Sequence, residues 1–192
     1  MLDPAILVNA YRQGIFPMGM EDGQIGWFSP NPRGVLPLEG FHIPSRLARV
    51  VRSARFTIRI DAGFEDVMRA CATRRDDGTW INAEILESYV TLHRLGLAHS
   101  VETWQDGALV GGLYGVHLGG AFFGESMFHR ATDASKVALV ALVDRLARRG
   151  FRLLDIQWVT PHLKQFGAIN VPRRTYLKLL AEALTRDCRF LD

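Results

Sequence analysis

No apolar run in this chain comes near the ~20 residues that a helix needs to cross a bilayer. The N-terminus, Met1-Leu2-Asp3-Pro4, lacks the positively charged opening of a secretion signal. Cysteine is scarce. Cys71 and Cys188 stand far apart with no C-x-x-C pair, which points to free thiols in a reducing compartment and so to the cytoplasm. The histidines are scattered without an H-x-x-x-H pair, which argues against a zinc site. There is no G-x-G-x-x-G turn, no Walker A loop and no G-x-S-x-G elbow, so nucleotide-binding and α/β-hydrolase chemistry lose their usual carriers. Internal repeats, low-complexity tracts and coiled-coil heptads are also missing, and a monomer is expected.

What is present is an ordinary globular composition. Hydrophobic residues make up 48% and charged residues 22% of 192 positions, enough for a sizeable core in one domain or in one domain with a small module. The net charge of +3 does not by itself indicate nucleic-acid binding. Its distribution says more. Arg46, Arg49, Arg52, Arg55 and Arg59 recur every three or four residues, a ridge that can neutralise phosphates or simply form a solvated helix face.

Local signals predict the element order. A helix over residues 3–13 has Asp3 as cap, Pro4 in its first turn and Gly14 as stop. Residues 14–40 are rich in Gly and Pro and read as a loop carrying Trp27 and Phe28. A short helix at 44–53, a strand at 55–60 and helices at 63–74 and 82–95 follow. Then comes an antiparallel meander: a strand at 99–104, the hairpin signal Asp106-Gly107, and strands at 108–117 and 121–128. A largely apolar helix at 134–149, a strand at 151–158, a short helix from Thr160-Pro161 to Gly167 and a last helix at 172–186 complete the chain. Helices, a meander, then helix–strand–helix make an α+β fold with helices packed on a mixed sheet.

Two acids interrupt apolar strands. Glu125 lies in Ala121-Phe122-Phe123-Gly124-Glu125-Ser126-Met127-Phe128, and Asp155 in Phe151-Arg152-Leu153-Leu154-Asp155-Ile156-Gln157. A carboxylate among Phe, Leu and Ile is costly to bury without a partner. Either the two acids grip a cation or an amine, or each is a structural acid paired with an Arg or placed at an exposed strand end. Asp155 and Gln157 are two apart on a strand and are expected to face the same side, as are Glu125 and Met127.

An ordered set of segments carries a family pattern: Tyr11-Arg12-Gln13-Gly14-Ile15-Phe16-Pro17, Trp27-Phe28-Ser29-Pro30-Asn31-Pro32-Arg33, Gly78-Thr79-Trp80-Ile81, Ala98-His99-Ser100-Val101-Glu102, Leu109-Val110-Gly111-Gly112-Leu113-Tyr114-Gly115-Val116, Gly124-Glu125-Ser126-Met127-Phe128, Ala134-Ser135-Lys136, Leu154-Asp155-Ile156-Gln157 and Phe166-Gly167-Ala168. The chain resembles the bacterial leucyl/phenylalanyl-tRNA–protein transferases along nearly its whole length. The resemblance implies a small N-terminal module, residues 1–33, and a GNAT-like aminoacyltransferase domain, residues 34–192. It implies transfer of Leu or Phe, with Met as a third donor, from aminoacyl-tRNA to the α-amine of proteins beginning with Arg or Lys, marking them for degradation by the N-end rule. An aminoacyl ester is already activated, so no metal, ATP or other cofactor is implied.

The same resemblance distributes roles. Asp155 and Gln157 fall at the reacting centre, Asp155 to orient Gln157 and hold the incoming ammonium group or the Arg/Lys side chain, Gln157 to position the amine or accept its proton. Glu125 falls near the aminoacyl group, where it can accept from the donor α-amine or a ribose hydroxyl. Met127, Leu113, Leu139 and Leu142 line the pocket for the donor side chain, although ordinary core packing explains the leucines equally. Trp80 and Tyr89 hold the terminal adenosine by stacking and contacts around it; a core Trp and a helix-face Tyr are the plainer alternatives. Arg46, Arg49 and Arg52 contact tRNA phosphates, with Arg145, Arg148 and Arg149 as the alternative stripe.

Two departures stand out. Met18 occupies the place where the family often has Trp after Gly-Ile-Phe-Pro, which weakens the adenosine clamp unless Trp27 contributes. The chain also begins later than longer members do. Three rivals remain: an acyl-CoA N-acyltransferase, a peptidoglycan-type aminoacyl-tRNA-dependent transferase, and a non-catalytic module binding RNA or degrons. The first is disfavoured because Arg130-Ala131-Thr132-Asp133-Ala134-Ser135 lacks the glycines that bind pyrophosphate and carries an acid instead. The last would be favoured by loss of Asp155 or Gln157, and both are present.

Overall fold

The computed structural model describes residues 1–73 and 79–192. The end of the helix expected over 63–74, and Gly78 of the Gly78-Thr79-Trp80-Ile81 segment, lie outside the described residues. Helix α1, Pro4–Arg12, starts as its sequence dictates: the Asp3 carboxylate accepts from the Ala5 N–H at 2.7 Å. Strands β1, Phe16–Gly19, and β2, Ile25–Phe28, form an antiparallel ribbon, and β3 is Arg33–Val35. The segment expected as a loop over 14–40 therefore contains three short strands. Strands this brief show no readable alternation, and their partners fix them: the Gly19 N–H reaches the Trp80 carbonyl, and β3 inserts into the main sheet.

Next come α2, Ser45–Arg52; β4, Thr57–Ile60; α3, Phe64–Ala72; and α4, Ala83–Arg94, capped by the Asn82 side chain. Strands β5, Ala98–Gln105, and β6, Ala108–Leu118, meet at Asp106-Gly107, both with positive φ, as a type I′ hairpin requires. Strand β7, Ala121–His129, leads into α5, Ala134–Arg148. Then follow β8, Leu153–Gln157; α6, Pro161–Lys164; β9, Ile169–Val171, which the sequence reading missed; and α7, Arg173–Leu184.

The seven-stranded sheet has the order β4-β5-β6-β7-β8-β3-β9. β4 to β7 form the expected antiparallel meander, α5 carries the chain across so that β8 runs parallel to β7, and β3 pairs antiparallel with both β8 and β9. This is the expected α+β arrangement, a mixed sheet with helices packed on it. One face packs on α1, α3, α4 and α7, and the other on α2 and α5. Leu7, Tyr11 and Phe16 are buried in the same cluster as Tyr89, Phe123 and Tyr176, so the N-terminal segment shares its core with the rest of the protein.

Two irregularities shape the sheet centre. The β7–β8 ladder covers only Ala121–Phe123 against Leu153–Asp155, and beyond it the two strands part. On the other side of β7, Tyr114 faces Ser126 while Gly115 faces Gly124. Glu125 is thus the extra residue of a β-bulge, a device that re-aims side chains and reverses the alternation that follows. Phe123 and Phe128 consequently pack on the α3 side and Met127 on the α5 side. Glu125 and Met127 do not share a face, contrary to the period-2 expectation.

The bulge needs Gly115. A Cβ there would lie 2.3 Å from the Phe123 carbonyl oxygen and 2.4 Å from the Phe122 ring. Gly115→Ala is expected to cost ~1–3 kcal/mol by overpacking, read by urea unfolding. Gly124→Ala, whose Cβ would meet its nearest atom at 3.5 Å, should cost clearly less.

Candidate active site

The site is built on a buried ion pair. Arg33, on β3, is only 1% exposed. Its Nε and Nη2 donate to Asp155 Oδ1 at 2.9 Å and Oδ2 at 2.8 Å, and its Nη1 donates to the Gly14 carbonyl at 2.8 Å. The Tyr176 hydroxyl adds a 2.6 Å bond to Asp155 Oδ2. The guanidinium also lies over the Tyr176 ring at 4.5 Å and near the Phe16 ring at 4.9 Å. Desolvating such a pair is tolerable only when its hydrogen-bonding capacity is filled in this way.

Of the two readings open for the strand acids, Asp155 takes the structural one. It is fully buried, its charge is spent on Arg33, and it is not among the described residues that line the cavity beside Glu125 and Gln157. The grip expected of it, on an incoming ammonium group or Arg/Lys side chain, falls on a carboxyl already bonded to Arg33 and Tyr176. Its expected second task, orienting Gln157, fits the geometry. Gln157 sits at φ 58°, a left-handed conformation that a non-glycine residue holds only with support. Asp155 Oδ1 supplies that support by accepting the Gln157 N–H at 2.9 Å.

Glu125 has no arginine partner of this kind among the described residues and lines a cavity. The Tyr11 hydroxyl donates to its Oε1 at 2.7 Å, and Gln157 Nε2 approaches the same oxygen at 3.4 Å. The buried Tyr89 hydroxyl makes a short contact with the Tyr11 hydroxyl and also bonds the Glu125 carboxyl. Burial pushes the Glu125 carboxyl up to about 8, against the lowering effect of the Tyr11 bond. Tyr89, fully buried, stands behind Tyr11 as a support and does not face the cavity.

Where β7 and β8 part, a cavity of about 960 Å³ opens. It passes between the strands and has two unlike arms. Leu113, Met127, Leu139, Leu142, Leu154 and Ile156 line an apolar arm on the α5 side. Glu125, Gln157 and Tyr114 line a polar arm on the other side. Met18 and Trp80, both half-buried, lie on the wall beside Phe16, and Trp158, 46% exposed, stands edge-on to Phe16 at 5.3 Å. Eight of the ten residues expected in the catalytic and substrate site thus meet around one cavity; Asp155 and Tyr89 lie behind its wall.

The arginine ridge is exposed. Leu47 and Val50 root α2 against α5, while Arg46, Arg49 and Arg52 point outward. Arg46 lies 3.8 Å from Asp133, at the start of α5, close to the cavity-lining Arg130 and Ser135. The alternative stripe is occupied: Arg145 and Arg149 donate to the Phe190 and Leu191 carbonyls, and Arg148 pairs with Asp144.

Sequence reasoning assigned no role to Tyr11, Arg33, Tyr176 or Trp158. The first two lie in family-pattern segments, but their partners are 114 and 122 residues away, so no local signal exposes the pairing. A buried acid's need for a cation was visible; which arginine answers it was not.

The comparisons agree along the chain. The family model described as leucyl/phenylalanyl-tRNA protein transferase matches residues 35–181, and the model of its N-terminal domain matches residues 1–31. The leucyl/phenylalanyl-tRNA–protein transferase of Herpetosiphon aurantiacus is 56% identical over 98% of both chains. That of Paramagnetospirillum magneticum is 57% identical over 96% of this chain and 90% of its own. Among solved structures, the C-terminal domain of a putative lysylphosphatidylglycerol synthetase from Agrobacterium fabrum aligns with a TM-score of 0.44 at 10% identity, covering 94% of this chain and 56% of that one.

Asp155→Asn conserves volume but removes the charge that answers Arg33. An amide cannot neutralise Arg33, and stranding one partner of a buried pair costs ~3–5 kcal/mol. Tyr176→Phe removes only one hydrogen bond to the charged group and should cost ~1.5–3 kcal/mol. Denaturant unfolding of both variants measures the gap; equal losses would contradict it.

Proposed function

Since the chain belongs to the leucyl/phenylalanyl-tRNA–protein transferase family and is an aminoacyltransferase acting between aminoacyl-tRNA and protein, we propose that it transfers Leu or Phe, with Met as a third donor, to proteins that begin with Arg or Lys. The new first residue marks those proteins for degradation in the cytoplasm, and the enzyme works as a monomer. The observation that carries this reading is the two-armed cavity. Its apolar arm suits a hydrophobic side chain without branching at Cβ, aliphatic or aromatic, and its polar arm is where an amine meets the ester. The ester carbonyl belongs at the junction, between Gly124 of β7 and Ile156 of β8.

Gln157 holds the acceptor amine. Its Nε2 faces the Glu125 carboxyl, which leaves its Oε1 to accept an amine N–H. The catalytic gain is positional: amine, ester and hydrogen-bond acceptors are held together in a site that the chain preorganises. Met18 and Trp80 hold the terminal adenosine, and exposed Trp158 offers an aromatic surface where Met18 stacks poorly. Coenzyme A fits less well. Asp133 stands at the N-terminus of α5, where a pyrophosphate would need to bind, and Lys136 and Arg46 already hold its carboxyl below the usual range.

Among the described cavity-lining residues Glu125 is the one acid, so it carries any preference for a cationic acceptor. Mixing the protein with Leu-tRNA or Phe-tRNA and peptides beginning with Arg, Lys, Ala or Glu tests this. Mass spectrometry should show one added Leu or Phe, far more on Arg and Lys peptides. Equal yields on all four would sink the charge selection, and acetylation from acetyl-CoA without transfer from tRNA would sink the donor.

The Arg46, Arg49 and Arg52 ridge beside the mouth takes tRNA phosphates by salt-sensitive contacts. Replacing all three with Glu should raise KM for aminoacyl-tRNA and leave a minimal aminoacyl-adenosine donor nearly unaffected. If neither donor responds, the ridge is a solvated helix face.

A further inference from the structure

We propose that Glu125, and not the Gln157 amide, is the group that takes the proton from the acceptor's α-ammonium. The proposal rests on the reading that the cavity performs aminoacyl transfer to an amine.

The geometry points there for three reasons. Glu125 is the one carboxylate among the described residues lining the cavity, because Asp155 is sealed behind Arg33. The bulge at the Tyr114–Gly115 register shift singles Glu125 out from β7 and sets it in the polar arm beside Gln157. The contacts from Tyr11 and Gln157 both fall on Oε1 and Tyr89 adds a third to the carboxyl, while the residue remains open to the cavity. An amide oxygen is a far weaker base than a carboxylate. Gln157 is equipped to hold the amine, and its neighbour is equipped to deprotonate it.

The surroundings tune that carboxyl. Tyr11 on α1 donates to it, Tyr89 on α4 backs Tyr11, and Tyr114 on β6 packs edge-on to Tyr89. Asp155 on β8 and Arg33 on β3 act on it through space with opposite signs. The net result, about 8, matches the ~7.7–8.0 of a peptide α-amine. Proton transfer is most useful between groups so matched near the working pH.

The step balances. The α-ammonium gives one proton to the Glu125 carboxylate, and the freed nitrogen lone pair attacks the ester carbonyl carbon. As the carbon–O3′ bond breaks, a second proton from nitrogen goes to the leaving 3′ oxygen. The products are an amide, a free 3′-hydroxyl and protonated Glu125, which returns its proton to water.

The test uses the full-length enzyme, charged tRNA and an Arg-initiated peptide, with steady-state rates from pH 6 to 9. For the wild type, kcat should rise with pH along a limb whose midpoint lies near 8, and the limb should stay in place when a peptide of lower amine pKa is used. Glu125→Gln should lower kcat at least ~10-fold, within the usual 10²–10⁴ cost of losing an acid–base group, leave KM for aminoacyl-tRNA nearly unchanged, and lose the limb. A circular-dichroism melt checks its fold. Tyr11→Phe provides a second reading: removing a hydrogen bond that favours the carboxylate should move the limb to higher pH. A rise in KM alone, wild-type kcat in Glu125→Gln, or a limb that follows the acceptor amine would overturn the proposal. Absence of transfer by the wild type would instead strike the reading of the cavity itself.

Discussion

A guanidinium with almost no access to water organises this molecule. Arg33 must find a carboxylate, because an unpaired charge at that depth is not sustainable. Satisfying it brings together the Gly14 carbonyl after α1, β3 next to the edge of the sheet, Asp155 on β8 and Tyr176 on α7. The pair also explains how β3 comes to lie between β8 and β9, far from its neighbours in sequence. Fixing Asp155 then fixes the left-handed turn at Gln157, so the placement of a cavity-lining amide follows from the burial of a charge two residues away.

The cavity owes its two characters to two breaks in one sheet. Where β7 and β8 stop pairing, the sheet opens and both of its faces contribute walls. Where β7 carries its extra residue, an acid and a methionine that strict alternation would put together are sent to opposite sides. An apolar pocket and an ionisable one can then lie within the length of a single aminoacyl group. Gly34 belongs to the same arrangement: a Cβ there would lie 2.7 Å from the Trp158 backbone, so β3 can approach the end of β8 only without a side chain.

Much of this was legible in the residues, and the boundary is instructive. Helix α4 between Asn82 and Gly96, the Asp106-Gly107 hairpin and apolar α5 announce themselves because capping, turn conformation and helical period are local properties. β1, β2, β3 and β9 do not, because three or four residues carry no period and take their form from distant partners. The site divides likewise. Glu125 and Gln157 stand out as polar groups in apolar strands. The burial of Tyr89, the sealing of Asp155 and the parting of Glu125 from Met127 depend on long-range pairing and on a bulge, which spacing does not encode.

The Arg33–Asp155 contact spans 122 residues, and that span has a meaning in time. A ribosome adding roughly 5–20 residues per second leaves about 6–24 s between the two syntheses. Through that interval the emerging chain carries an arginine whose carboxylate does not yet exist. The N-terminal segment cannot settle into its final place beforehand, since its anchor on β8 and α7 is still to be made. Assembly of the cavity wall is thereby postponed until β8 has been made, and a nascent fragment that stops short of Asp155 lacks the carboxylate that supports Gln157.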